Sequence, residues 1–335
     1  MREAAINNTI SKYMGNASPK EREDVRNDIL AMARKYRFSA EEYFCYHFKD
    51  KTEDERKTFI SDLNRVDFCE SLNLSKNLAI FDDKMYTYKV FGKYYGRDIC
   101  FVTKSKDFER FADFFRKHKR IIIKPVLGTC GRGIQIVDIL EKKDLKLFFH
   151  ELLKEYCLGK KDGFIAEELI VQVPEMAQFH SSSVNSVRVS TVKFDDGVEV
   201  IAGFFRTGRG GNIVDNGGAG GIFGTIDVQT GKIDAVGDEY GNSYTHHPDS
   251  NIQMIDFVIP RWEEAKQLAK ELATVVKGNR YAGWDLVLTE KGWIMVEGNS
   301  RGQFLWQMPR QKGFLAEVNE ILRRLGLPEM KKLSI

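Results

Sequence analysis

Two short apolar segments near the C-terminal end constrain this chain more than any other feature. Gly283-Trp284-Asp285-Leu286-Val287-Leu288 and Trp293-Ile294-Met295-Val296-Glu297-Gly298-Asn299 each carry a single acid, and Thr289-Glu290-Lys291-Gly292 lies between them. β-branched and aromatic runs bounded by a turn predict a hairpin. With the turn centred on Lys291, Asp285 falls opposite Glu297, because their numbers sum to twice 291. Asn299 then points to the same side, since side chains alternate along a strand. Two facing carboxylates in apolar strands repel each other and are costly to bury, so a positive group belongs between them. A few hard oxygen donors with coordination positions left open suit Mg²⁺ bridged to phosphates. Val287, Thr289 and Met295 are expected on that same face, which argues against a solvent-facing edge hairpin. Register decides the matter, because a slip of one residue turns one acid away.

Upstream, Ile121-Ile122-Ile123-Lys124-Pro125 leads into Gly128-Thr129-Cys130-Gly131-Arg132-Gly133 and then Ile134-Gln135-Ile136-Val137. This reads as strand, glycine loop, strand. Glycines let backbone amides approach an anion closely, and a lysine at the end of the preceding strand adds fixed positive charge. The loop is not a Walker A sequence, since GK[ST] is missing and a strand follows it. The bland alternative is a glycine-bearing hairpin with an exposed lysine.

Around these features the chain divides into three parts. Residues 1–75 are expected to be an all-helical module: Ser18-Pro19, Ser39-Ala40-Glu41-Glu42 and Thr52-Glu53-Asp54-Glu55 are helix starts, and Tyr43, Phe44, Tyr46 and Phe48 follow one helix face as core residues. Residues 76–178 alternate strands and helices: Ile99 to Val102, Lys106 to His118, Ile121 to Lys124, Ile134 to Asp138, Lys142 to Tyr156 and Phe164 to Glu168. In residues 179–335 come the strands Ser186 to Val192 and Val198 to Phe205, a helix from Arg261 to Lys277, the acidic hairpin and a helix from Gly313 to Leu325. The fold class is therefore α+β, two lobes preceded by helices.

Composition narrows the function. A net charge of +3 argues against a dedicated nucleic-acid binder, and the basic run from Arg116 to Arg120 reads as the solvated end of a helix. Five cysteines with no CxxC spacing predict neither a disulfide framework nor a zinc site, and a reducing cytoplasm is the expected location. No run approaches the roughly 20 apolar residues of a membrane span.

Between Thr207 and Gly224 glycine is dense, with Arg206 and Arg209 at its start and Asp215-Asn216 in its middle. Such a backbone can fold tightly against a bound group, and arginines recognise carboxylate or phosphate in a planar way. Arg206, Arg209 and Asn216 are therefore candidates for the acceptor pocket. His246 and His247 precede Pro248 without a partner at metal spacing, which favours a local turn contact.

In order along the chain stand a lysine before a glycine loop, an acidic segment Glu167-Glu168-Leu169-Ile170-Val171, and an aspartate followed by Glu-x-Asn. With Ser71-Leu72-Asn73, Asp83-Lys84, Asn185-Ser186-Val187-Arg188, Val214-Asp215-Asn216, Gly220-Gly221-Ile222 and His247-Pro248-Asp249, this order resembles the ATP-grasp superfamily, and specifically its sugar-transfer-associated branch, from about Phe38 to Leu327. The resemblance implies an ATP-grasp fold whose two lobes grip ATP. It implies that Lys84 and Lys124 contact the α and β phosphates under a flexible loop that includes Gly128, Thr129, Gly131 and Gly133. Glu168 with the backbone of Leu169 and Val171 would meet adenine, and Glu175, seven residues beyond Glu168, would hold the ribose. Asp285, Glu297 and Asn299 would be magnesium ligands, and Arg188 would reach the transferring phosphate, with a buried structural salt bridge as its alternative. Gly298 departs from the bulkier residue of many relatives, and Cys130 is no family requirement. The activity implied is an ATP-dependent carboxylate–amine ligase working through an acyl phosphate, joining an amino acid to a sugar acid or aminosugar for surface polysaccharide. A nucleotide- or lipid-linked sugar and a homodimeric partner are further expectations. The alternatives are a phosphotransferase acting on a hydroxyl and a non-catalytic partner of a glycosyltransferase.

Overall fold

The structure is a computed structural model that describes residues 3–127, 133–138, 144–158, 162–215, 217–303 and 306–330. Gly128, Thr129, Cys130, Gly131 and Asn216 lie outside the described residues.

Local sequence sets the helical start. Ser18, Ser39 and Thr52 each accept a hydrogen bond from the backbone of the glutamate three positions on, while Glu21, Glu42 and Glu55 reach back to the cap nitrogens. Each reciprocal pair satisfies two donors that a helix start otherwise leaves orphaned. The helices so begun run Pro19–Tyr36, Ala40–Cys45 and Glu53–Arg56, preceded by Glu3–Tyr13 and followed by Asp62–Leu72. Tyr43, Tyr46 and Phe48 are buried with Ile29 and Phe38, and Phe44 packs against that core while stacking on Tyr13 at 4.5 Å. The aromatic cluster is thus the module's own core.

The first lobe holds β1 (Ile99–Val102), β2 (Arg120–Pro125), β3 (Gln135–Asp138) and β4 (Phe164–Glu168) in the order β1-β4-β2-β3, with antiparallel neighbours throughout. Helices Phe108–Lys117 and Leu145–Tyr156 cover one face, setting Phe111, Phe115, Phe149 and Leu152 on Ile121, Ile123 and Val137. Alternation leaves Ile122 and Lys124 on the other face, and the register puts Glu167 beside Ile122 there.

The second lobe is one antiparallel sheet of β5 (Ser186–Lys193), β6 (Val198–Thr207), β7 (Ile222–Ile226), β8 (Ile233–Asp238), β9 (Tyr281–Thr289) and β10 (Gly292–Asn299), in the order β10-β9-β5-β6-β7-β8. One face buries Val187, Val189, Phe205, Trp284 and Leu286 against helix Trp262–Val275. Ile80, Phe81, Phe91 and Tyr95 join this core, so a segment grouped with the first lobe at the level of sequence packs on the second. The opposite face buries Val192, Phe204 and Tyr281 against Phe68, Cys69 and Leu72 of the helical module and against helix Leu315–Arg324. That second face carries Arg188, Arg206 and Asp285. The glycine-dense stretch ends in β7 and β8, two strands that the sequence reading did not resolve. No helix among the described residues is long and apolar enough to cross a membrane. Cys45, Cys69, Cys100 and Cys157 are free thiols.

Candidate active site

Asp285 and Glu297 do pair across β9 and β10, but by a different route from the one the numbering predicts. From Gly292↔Thr289 to Met295↔Leu286 the turn centres between Glu290 and Lys291, a register that would set Val296 against Asp285. A bulge between Met295 and Glu297 absorbs one residue and restores Glu297↔Asp285 and Asn299↔Gly283. Bulges re-aim side chains and are frequent beside active sites. Met295, expected on the acidic face, pairs with Leu286 and is buried in the core of the other face. Val287 and Thr289 keep the alternation of Asp285.

Asp285 is 2% exposed and sits beside two guanidinium groups. Arg188, its register partner on β5, donates from Nε to Oδ1 at 2.7 Å and from Nη2 to Oδ2 at 2.9 Å. Arg206 on β6 brings Nη2 to within 2.9 Å of Oδ2 and also donates to Ser186 Oγ, whose hydroxyl bonds Asp215. Asn299 Nδ2 reaches Oδ2 at 3.5 Å. Burial alone would raise the Asp285 carboxyl, but Arg188 and Arg206 outweigh it and hold it below the usual range. Glu297 is opposite in character. Burial and then the charge of Asp285 push its carboxyl up, against the opposing pull of Lys84, Arg188 and Lys124. Among the described residues its carboxylate accepts no hydrogen bond.

The first lobe brings its cations to the same place. Lys124 Nζ donates to Glu167 Oε2 at 2.9 Å, and Arg97 Nε donates to that oxygen at 2.9 Å. Arg97 Nη1 continues to the carbonyl of Met295 at 2.7 Å, next to the bulge, and so joins the two lobes. Lys84 opens helix Lys84–Phe91, which Asp83 caps by accepting from Met85 and Tyr86. Burial lowers the Lys84 ammonium, and the charges that act on it are Glu297, Lys124 and Glu167. Lys124 and Glu167 of the first sheet, Glu297 of the second and Lys84 of the helix therefore share one electrostatic cluster. Glu167 and Arg97 escaped the sequence reading. The signal available was Glu167 alternating onto the face of Lys124 across adjacent strands, which requires knowing the β2–β4 register.

Burial would raise Glu167, but Arg97 and Lys124 bring it down to about 2. A depressed carboxylate adds stability that is complete above its unfolded value near 4.5 and is lost as pH falls toward 2. Between pH 5 and pH 3 the protein is expected to lose about 2 kcal/mol through this group. Urea denaturation at the two pH values checks this, since a Glu167→Gln variant should show a correspondingly flatter acid dependence.

The remaining expected residues divide. Glu168 pairs with Ile121, on the face away from Lys124, and accepts from Asp98 N at 3.1 Å near His118. Leu169 and Val171 lie in the segment between the sheets, where Val173 N bonds Leu288 O, and Val171 is 76% exposed. Glu175 is an exposed residue of the short helix Pro174–Ala177. Gly133 has φ +71, and its carbonyl accepts from Tyr156 OH. Arg209 is not brought to Asp285; it donates to Tyr244 OH at 2.9 Å and pairs with buried Asp238 at 3.4 Å. His247 is buried; its Nδ1 faces the amides of Asp249 and Ser250, a local turn contact, while its Nε2 lies 2.8 Å from Gly208 O, 39 residues away.

The packing explains Gly298. It pairs with Trp284, and a Cβ there would stand 2.9 Å from the indole Cζ3 and 3.2 Å from Met295 Cε. Gly298→Ala is expected to destabilise the protein by about 1–3 kcal/mol through overpacking, read as a lower denaturation midpoint.

The sequence model of a family described as sugar-transfer associated ATP-grasp matches residues 63–323. No curated protein matches the sequence. Similar solved structures include the ATP-grasp ligase PsnB complexed with minimal precursor, Mg and ADP, at 15% identity and TM-score 0.44, over 76% of this chain and 62% of that one. D-alanyl-alanine synthetase A from Vibrio cholerae is similar at 12% identity and TM-score 0.42, over 74% and 61%. N5-carboxyaminoimidazole synthetase from Staphylococcus aureus complexed with ADP is similar at 12% identity and TM-score 0.44, over 74% and 52%. The chain thus spans less than two thirds of the length of each of these structures.

Proposed function

The chain belongs to the sugar-transfer-associated ATP-grasp family, and on that premise we propose that it is an ATP-dependent ligase that activates a carboxylate as an acyl phosphate and passes the acyl group to an amine. The observation that carries this reading is the convergence of Asp285, Glu297 and Asn299 on one sheet face, with Lys84 and Lys124 acting on Glu297.

The donor set suits a divalent cation. Glu297 and the Asn299 Oδ1 accept no hydrogen bond among the described residues, and the repulsion that raises Glu297 is relieved by a cation between the two acids. Asp285, Glu297 and Asn299 would hold Mg²⁺, which when bound supplies charge neutralisation to the β and γ phosphates. Lys124 binds the triphosphate from the first lobe, and Lys84 from the helix that packs on the second. The exposed Val171 side chain offers adenine an apolar surface between the lobes, and the backbone of Leu169 a hydrogen-bonding edge. A carboxylate oxygen attacks the γ phosphorus, the bond to the β-bridging oxygen breaks, and ADP leaves. Arg188 orients the transferred phosphoryl group and offsets its charge. The amine then attacks the acyl carbon, the bond to the phosphate oxygen breaks, and inorganic phosphate departs as the amine sheds a proton. Arg206 with Ser186 lines the acceptor side.

Support for a sugar-linked acceptor is the description of the matched family. Amino acids, sugar acids and aminosugars are the substrates to screen for ADP release. Release that requires an acid and an amine together is the expected result. A stable phosphorylated product formed without an amine would replace the ligase by a phosphotransferase.

A further inference from the structure

Asn73 follows helix Asp62–Leu72 and is buried. Among the described residues its side chain bonds only backbone, and that backbone lies at the outer ends of the acidic hairpin. Nδ2 donates to the carbonyls of Tyr281 and Ser300, each at 3.0 Å, and Oδ1 accepts from the amides of Arg280 and Tyr281, each at 3.0 Å. Tyr281 opens β9, the strand of Asp285, and Ser300 directly follows Asn299 at the end of β10. The main chain reinforces the clip, with Leu74 N on Gly278 O at 3.1 Å and Arg280 N on Leu72 O at 3.2 Å. Within that same helix, buried Arg65 donates from Nη1 to the carbonyls of Arg301 and Gly302, and its Nε is held by Asp62 at 2.8 Å.

A module that only packed on the sheet would need nothing beyond its apolar contacts, and Phe68, Cys69 and Leu72 already supply these. The polar contacts have a different target. They tie down the start of one acid-bearing strand and the end of the other, so that β9 and β10 are clamped together at the end of the three pairs, Glu297↔Asp285 to Asn299↔Gly283, that follow the bulge. Groups that hold metal ligands in place are worth roughly 10–100-fold in metal affinity. We propose that Asn73 and Arg65 are positioning residues of the divalent-metal site, and that the N-terminal helical module is thereby an integral part of the catalytic unit. The proposal rests on the reading that Asp285, Glu297 and Asn299 hold the ion.

The test uses the full chain with ADP and Mn²⁺, following bound Mn²⁺ by electron paramagnetic resonance. Asn73→Ser and Arg65→Gln are each expected to weaken Mn²⁺ binding about tenfold. The Mg²⁺ concentration for half-maximal ADP release should rise to match, and excess Mg²⁺ should restore most of kcat. Unchanged Mn²⁺ affinity in both variants overturns the proposal, whatever happens to their melting temperatures. Arg65→Gln leaves the contacts to β9 intact and carries the test alone if Asn73→Ser does not fold. Glu297→Gln is measured alongside. If it too keeps full Mn²⁺ affinity, the assignment of the ligands has failed; if it loses affinity while the other two do not, only the positioning role has failed.

Discussion

Glutamine in place of Glu297 is expected to lower Mg²⁺-dependent ADP release by about a hundredfold or more, since losing a metal ligand should cost at least as much as losing a group that orients one. The metal-free protein should be no less stable than the parent. The two effects separate because of how this carboxylate is housed. Burial and the neighbouring charge of Asp285 raise it, and no hydrogen bond among the described residues holds it. A carboxyl raised on folding favours the folded state below its unfolded value near 4.5, and that contribution is lost as pH rises through the folded value. At neutral pH in chelator the charged glutamate therefore destabilises the chain, and an amide of the same shape removes that cost. Calorimetry in chelator and a Mg²⁺ titration of ADP release check the two halves. A variant that kept the parent's Mg²⁺ dependence would remove Glu297 from the metal site.

Removing Arg188 should do the reverse, damaging stability and chemistry together. Arg188→Ala takes both hydrogen bonds of the fork from Asp285, which stays buried with Arg206 as its remaining guanidinium. Breaking a buried pair from one side typically costs about 3–5 kcal/mol, a large share of the roughly 5–15 kcal/mol that holds a domain folded. Turnover should fall by about a hundred- to a thousandfold as the group that offsets phosphoryl charge disappears. The stability difference should also depend on pH. Asp285 is held below its ordinary value of 3.8, so the pair stabilises above that value and the benefit fades as pH falls through the folded one. Urea curves at pH 7 and pH 3 should therefore converge. Equal losses at both pH values would assign the arginine to packing rather than to its charge.

Much of the fold was legible because it is encoded locally. Ser18, Ser39 and Thr52 cap helices through a glutamate three positions on, a signal contained within four residues. β5 is legible from its β-branched residues and β9 as an apolar run, and both strands are almost wholly buried. β7 and β8 were missed because Ile222–Ile226 and Ile233–Asp238 are short and follow a glycine-dense stretch whose composition reads as loop. The family resemblance depended on the order of lysine, glycine loop and Asp…Glu-x-Asn, which no fold needs to be known to see.

The site was legible in its residue types and only partly in its geometry. Asp285, Glu297 and Asn299 share a face as the alternation predicts, yet the counting rule reached that pairing from a turn centre displaced by half a residue, and the bulge at Val296 corrected it. Met295 went to the core for the same reason. Glu168 and Glu167 are adjacent acids, and nothing local distinguishes them; the β2–β4 register turns Glu167 toward Lys124 and Glu168 toward Asp98.

Taken by itself, the sequence determined the chemical inventory: which acids, lysines and arginines stand in strands, where helices begin, and the membership of the family. Those properties depend on neighbours a few residues apart. Tertiary structure alone decided which of them meet. Arg97 reaches both Glu167 and Met295 O, Arg206 joins Arg188 on Asp285 while Arg209 goes to Asp238, and Asn73 closes on Tyr281 and Ser300. The physical reason is that register, bulges and the docking of the helical module arise from the packing of whole faces, and a side chain's partner across such distances is set by that packing rather than by its own neighbours in sequence.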